Sequence, residues 1–203
     1  MSSASGSTFS RRAAALATWS LLSLGTVGAF GQLEVPADRQ VLILSRALSY
    51  DSELKARAWT DLQVGVLSKQ GHAGSEAMAI AMLKAFRVIL NVKVQGLTLG
   101  VRALSYTTPA ALAASVIGQG IDVLYVCAGL DQDLPAIVEV TRKRHIVSLA
   151  SNEGQVTRGL ALGVFAVESR PTIVVNLVAA RNEGASFSSE LLRVAKVIKA
   201  VAP

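Results

Sequence analysis

The sequence holds a single cysteine, two histidines and five prolines, and aromatics make up only 5% of its 203 residues. One cysteine excludes an intramolecular disulfide scaffold and a two-cysteine redox motif. The two histidines, His72 and His145, lie at no ligand spacing from each other, from Cys127 or from a carboxylate pair. A zinc centre and a Ser-His-Asp triad therefore have no residues to build on, and no metal and no catalytic residue are expected. Charged residues are also scarce at 17%, while 51% of the chain is apolar. That balance excludes a disordered tail and suffices for a sizeable core in one domain. Past residue 31 no apolar run approaches the length that crosses a bilayer, so no membrane span is expected in the mature chain.

The N-terminal end has another character. Arg11 and Arg12 precede an apolar run over residues 13–30, followed by small residues, the pattern of an export signal. Cleavage fits after Ala29 or after Gly31, which assigns residues 1–31 to a signal peptide and residues 32–203 to the exported domain. The paired arginines permit a twin-arginine route, and ordinary secretion fits as well. Cys127 then meets an oxidising compartment without an intramolecular partner. It lies in an apolar run, Ile121-Asp122-Val123-Leu124-Tyr125-Val126-Cys127, that reads as a buried strand, where cysteine behaves as a small hydrophobe.

Periodicity organises the remainder. Val41, Leu44, Leu48 and Leu54 recur at helical spacing over residues 37–58, and a short strand covers residues 61–68. An amphipathic helix follows from Ser75, its expected N-cap, with Met78, Met82, Phe86 and Ile89 on one face. A strand within residues 92–106 is broken by Gly96 or Gly100, and Pro109 opens an Ala-rich helix that ends near Gly118. Strands over residues 121–127 and 145–149 flank a helix over 131–144. Two strands, 160–167 and 172–177, are separated by Arg170-Pro171, and a last helix spans 186–201 with Arg193, Lys196 and Lys199 on one basic face. Repeated strand-helix alternation with doubly buried strands predicts a layered α/β fold: a mainly parallel sheet flanked by helices, with a C-terminal antiparallel edge hairpin and a terminal helix.

Candidate chemistry is sparse. The loop Gly71-His72-Ala73-Gly74-Ser75, between a strand and a helix, could offer backbone N–H groups to an anion, although a plain turn before a capped helix explains the same residues. It lacks the dinucleotide fingerprint and the Walker lysine, so no cofactor is expected. Asp122, Asp131 and Asp133 surround one strand, but the last two suit the start of a helix. The basic run Arg142-Lys143-Arg144-His145 suits a helix end facing solvent, and an exported protein meets little nucleic acid, so no nucleic-acid partner is expected. The most distinctive stretch runs from Arg170 to Leu192. Asn176 interrupts its apolar strand and needs partners for its amide, expected in the connection over residues 180–186. Gly184 supplies a positive φ, and Ser186 or Ser188 caps the following helix.

This stretch resembles the C-terminal signature of the YfiR/HmsC-like family of exported bacterial proteins, through Val175-Asn176-Leu177, Ala180-Arg181, Gly184, Phe187-Ser188 and Leu191-Leu192. The order of the other elements agrees over residues 37–200. The aromatic-rich first helix of the family is replaced here by Val41-Leu42-Ile43-Leu44-Ser45-Arg46-Ala47-Leu48-Ser49-Tyr50. The disulfide cysteines of the best-known member are missing, which leaves redox control through such bridges unsupported. The resemblance implies a non-catalytic periplasmic regulator that binds the periplasmic part of an inner-membrane signalling protein, a diguanylate cyclase or a sensor kinase, and so affects cyclic-di-GMP and biofilm behaviour. Arg193, Lys196 and Lys199 are the expected partner-binding residues, and Asn176, Arg181, Gly184, Phe187, Leu191 and Leu192 the structural motif. A homodimer stays open. The alternative is a periplasmic small-ligand domain that holds an anion at Gly71, His72, Gly74 and Ser75.

Overall fold

A computed structural model describes residues 35–58 and 60–199. The expected signal segment and its cleavage points lie outside the described residues. Helix α1 (Ala37–Leu48) turns Val41, Leu44, Ala47 and Leu48 inward, the i, i+3, i+6, i+7 stripe of its sequence. The single helix expected over residues 37–58 is in fact two. The chain turns at residues 49–53, where Asp51 is drawn into the interior, and resumes as the four-residue α2 (Leu54–Arg57).

The strands are β1 (Asp61–Lys69), β2 (Thr98–Tyr106), β3 (Val123–Val126), β4 (Val147–Ala150), β5 (Leu162–Val167), β6 (Arg170–Asn176) and β7 (Lys196–Ile198). They form one seven-stranded sheet in the order β2-β1-β3-β4-β5-β6-β7. All neighbours run parallel except β5 and β6, the antiparallel hairpin that the Arg170-Pro171 punctuation anticipates. Every residue of β3 and β4 is buried, as befits central strands covered on both faces.

Helices cover the two faces. α1 and α3 (Ala73–Val88) close one core with Leu62, Val64, Tyr125 and Leu149; α4 (Pro109–Gly118), α5 (Leu134–Arg144) and α6 (Glu153–Thr157) close the other with Leu67, Leu124 and Val126. The short helices α7 (Leu177–Asn182) and α8 (Ser189–Val194) complete the C-terminal part. The last expected helix ends early. Backbone at Ala195 is extended, and Lys196-Val197-Ile198 joins β6 as a parallel strand, because β-branched Val197 and Ile198 gain more from pairing with Val175 and Asn176 than from another helical turn.

Two capping assignments also change. The N-cap of α3 is His72, whose Nδ1 accepts the Ser75 N–H at 3.1 Å; Ser75 instead turns its Oγ to accept the Lys69 N–H at 2.9 Å. Ser188 does occupy the N-cap position of α8.

Candidate functional site

The signature stretch is first of all a clasp between the two ends of the domain. Asp51, fully buried, accepts from Arg57 Nη2 at 2.5 Å, from the Ser186 N–H at 2.8 Å and from the Glu53 N–H at 3.1 Å. Arg57 Nη1 reaches the Gly184 carbonyl at 2.5 Å. Main-chain bonds from Ser52 to Ser186 and from Ser188 to Tyr50, each 2.9 Å, add a bridge in which Asp51 faces Phe187. Gly184 has φ +79°, and a Cβ there would meet His145 Nδ1 at 3.2 Å, so the turn needs glycine for its backbone. Phe187 and Leu191 are buried in the α1/α3 core and Leu192 is half-buried beside it.

Glu183, between Arg181 and Gly184, is the buried acid of this clasp. Its Oε2 accepts the Ser148 N–H at 2.7 Å, and its Oε1 is 2.7 Å from both Ser148 Oγ and Thr141 Oγ1. Burial pushes its pKa up to about 7, against the opposing pull of these hydrogen bonds and of Arg142. Thr141 Oγ1 and Ser148, from both its N–H and its Oγ, donate to this carboxyl, and Thr141 Oγ1 also lies 3.1 Å from the Val138 carbonyl. The side chain thereby fastens the C-terminal end of α7 to α5 and β4.

Asn176 does not serve the connection over residues 180–186. Its Nδ2 donates to the Val156 carbonyl at 3.0 Å and its Oδ1 accepts the Ala179 N–H at 3.1 Å, because the residues after it form helix α7 and need a cap. Arg181 is the exception in the motif. It is exposed in the last turn of α7, and its side chain has no hydrogen bond or ion pair within the described residues.

At the opposite end of the strands lies the topological switch. β1 sends the chain to β2 on one side and has β3 on the other, so the loops after β1 and β3 frame the crevice where open α/β sheets commonly bind ligands. The His72 ring lies against Gly129 there, within 3.1 Å of where a Cβ would stand. The loop serves itself: Gly71 N–H donates to Glu76 Oε1 at 2.9 Å, His72 N–H to the Lys69 carbonyl, and Ser75 N–H to His72. Gly74 lies in the first turn of α3. Beside it, an open depression of about 330 Å³ is lined by Lys69, Gln70, Tyr106, Thr107 and Asp133, with Lys69 paired to Asp133 at 2.9 Å.

Cys127 is wholly buried and its thiol is pushed up to about 12 by desolvation. The folded protein is expected to leave Cys127 unlabelled by iodoacetamide at pH 8 over an hour and to label fully in guanidinium, as read by intact mass. Asp122 stands before β3, and Asp131 and Asp133 stand after it, so the three carboxylates do not converge. Among the described residues no group of His, Cys, Asp and Glu is placed to hold a metal.

The three basic residues expected on one helical face are separated by the helix-to-strand change. Arg193 is exposed in α8; Lys196 sits on β7 and pairs with Glu153 at 2.5 Å; Lys199 is exposed just beyond β7. Sequence reasoning passed over Asp51, Arg57 and Glu183. One signal for Glu183 was available: an acid at a helix C-terminus opposes the helix dipole and calls for a tertiary reason.

The same α/β fold occurs in other solved structures. Similar solved structures are the ABC domain in complex with L-Trp from Streptococcus pneumonia (14% identity, TM-score 0.59, covering 80% of this chain and 60% of that one); a ligand-free, open substrate-binding protein with adhesive properties from Clostridium difficile (18%, 0.52, 73% and 58%); and a conserved domain protein from Vibrio cholerae (13%, 0.57, 81% and 60%). The chain spans about 60% of the length of these structures, and at such identity the likeness concerns the fold. No curated protein matches the sequence. Residues 42–196 match the YfiR/HmsC-like family, and the chain belongs to it. No helix among the described residues is long and apolar enough to cross a membrane.

Proposed function

We propose that this protein is an exported, non-catalytic regulator that works in the periplasm by binding the periplasmic part of an inner-membrane signalling protein, a diguanylate cyclase or a sensor kinase. The observation that carries this reading is the family match across residues 42–196, which runs from within α1 to the first residue of β7. Residues 1–31, read as a cleaved signal peptide, supply the route, and residues 32–203 act as a single domain. Arg193 and Lys199, exposed at the C-terminal end, and Arg181, exposed in the family motif, offer cations to an acidic partner surface. Lys196 contributes less, since Glu153 already neutralises it.

The test is genetic and chemical together. Deleting the gene is expected to raise cellular cyclic-di-GMP several-fold, and the exported wild-type protein is expected to restore it. The Arg193→Glu, Lys199→Glu double variant, exported at the same level, should restore less than half of the effect, because rim charges of like sign oppose a steered encounter. An unchanged cyclic-di-GMP level on deletion would turn attention to a sensor kinase. Full restoration by the double variant would remove this end from the interface.

The small-ligand alternative, an anion at Gly71, His72, Gly74 and Ser75, draws on the likeness to a substrate-binding fold and on the depression at the strand ends. It has the weaker support, because the loop donors already have protein acceptors and Glu76 sets a carboxylate beside Gly71.

A further inference from the structure

We infer that the outer edge of β2 is a docking site for an extended strand of the protein partner, which adds to the sheet by main-chain pairing and brings a carboxylate to Arg102. The inference rests on the regulator reading and gives it a place on the molecule. The two edges of the sheet differ. β7 is three residues long and bounded by Lys196 and Lys199, the short, lysine-bearing form that protects an edge from further pairing. β2 is nine residues long, about 30 Å at the usual rise, pairs with β1 at every position without a bulge, and has no strand on its other side among the described residues. It contains no proline, and its single charge is Arg102.

The outward groups follow from alternation. The Tyr106 and Leu104 carbonyls point toward β1, where they accept from Gln70 N–H and Ser68 Oγ, each at 3.4 Å. Leu99, Val101, Ala103 and Ser105 therefore turn their N–H and C=O groups away from β1, ready for another strand. Exposed apolar side chains are frequent on the two helices that pack on β2. α3 is the outer helix on one face of β2 and α4 on the other; of the six large apolar side chains exposed among the described residues, Ile80, Val88 and Ile117 belong to these helices and Val92 to the turn after α3.

Arg102 selects the occupant. It is exposed at the centre of β2 with no ion pair among the described residues. Antiparallel pairing of two copies over the full nine residues would set Arg102 against Arg102, and like charges directly opposed are destabilising. A partner strand with Asp or Glu at that position gains where a second copy loses.

The test places p-benzoylphenylalanine at Ser105 of the full chain in its own cells, followed by irradiation and mass spectrometry, with a second probe position at Arg193. Three backgrounds are compared: Ala103→Pro, which removes an outward N–H; Ala103→Leu, which keeps it; and Arg102→Glu, which needs no backbone change. The expected result is a Ser105 adduct with an inner-membrane signalling protein, at least tenfold weaker in A103P and R102E and retained in A103L. Retention in both A103P and R102E, or an adduct with a second copy of this chain, would overturn the edge assignment. A membrane signalling protein caught from Arg193 and not from Ser105 overturns the edge while leaving the regulator reading intact. No such protein from either position overturns both.

Discussion

Replacing Asp51 with alanine is expected to lower stability by about 3–5 kcal/mol, the usual range when one partner of a buried ion pair is removed. The physical reason is local. Asp51 is fully buried and receives Arg57, the Ser186 N–H and the Glu53 N–H; alanine leaves the Arg57 guanidinium, itself only 12% exposed, without its counter-charge, and two backbone donors without an acceptor. For a domain of this size each kcal/mol shifts the midpoint by about 2–4 °C, so the melting temperature should drop by about 6–20 °C. The loss should begin at the clasp: hydrogen exchange at Ser52, Ser186 and Ser188 should accelerate more than at the central strands. A D51A protein that melts within 2 °C of wild type would show that the clasp contributes little.

Glu183→Ala should be comparably costly, because it strands the Ser148 N–H in the interior and takes an acceptor from Ser148 Oγ and Thr141 Oγ1. Glu183→Gln is the more informative change, through its pH dependence. The folded pKa of about 7 lies above the ordinary value of 4.5, so the folded state holds this proton more tightly than the unfolded chain. The associated stability is fully present below about pH 4.5 and is lost progressively as pH rises through about 7. Each unit is worth about 1.4 kcal/mol, so the stability of wild type relative to E183Q should fall by about 3 kcal/mol across that window. Arg142 on α5 favours the ionised form, β4 presents only the neutral Ser148, and His145 stands near Gly184 in both proteins. Urea titrations of both proteins from pH 4.5 to 8 measure the difference. A difference independent of pH would mean that Glu183 titrates in the ordinary carboxylate range.

These two acids also mark where the sequence stops being legible. The amphipathic helix α3, the strand β1, the doubly buried β3 and β4 and the Arg170-Pro171 hairpin follow from local periodicity and turn chemistry, and the structure contains them all. Asp51 and Glu183 depend on partners far along the chain: Ser186 is 135 residues from Asp51, and Thr141 is 42 from Glu183. In sequence, Ser49-Tyr50-Asp51-Ser52-Glu53 reads as the middle of one helix over residues 37–58, and only the tertiary clasp shows why the helix breaks there.

The last helix fails for a related reason. Its apolar spacing suits a helix as far as Ile198, but the open side of β6 competes for Val197 and Ile198 and wins them as β7. The candidate partner site was thus legible in its residue types and not in its geometry. Arg193 and Lys199 remain exposed, Lys196 is drawn to Glu153, and the β2 edge gives no sequence signal, because an edge strand and a central strand can share one composition. For Asn176, residue type announced a buried amide that needed partners, while their identity depended on the unforeseen helix α7.

The regulator reading is tested most directly by chemical cross-linking of the tagged, full-length protein in intact cells, followed by purification and mass spectrometry of what is bound. The account predicts stoichiometric enrichment of an inner-membrane diguanylate cyclase or sensor kinase, linked through its periplasmic part. Recovery of this chain alone, from a verified periplasmic fraction in which such proteins are present, would contradict it and leave the small-ligand domain as the better reading.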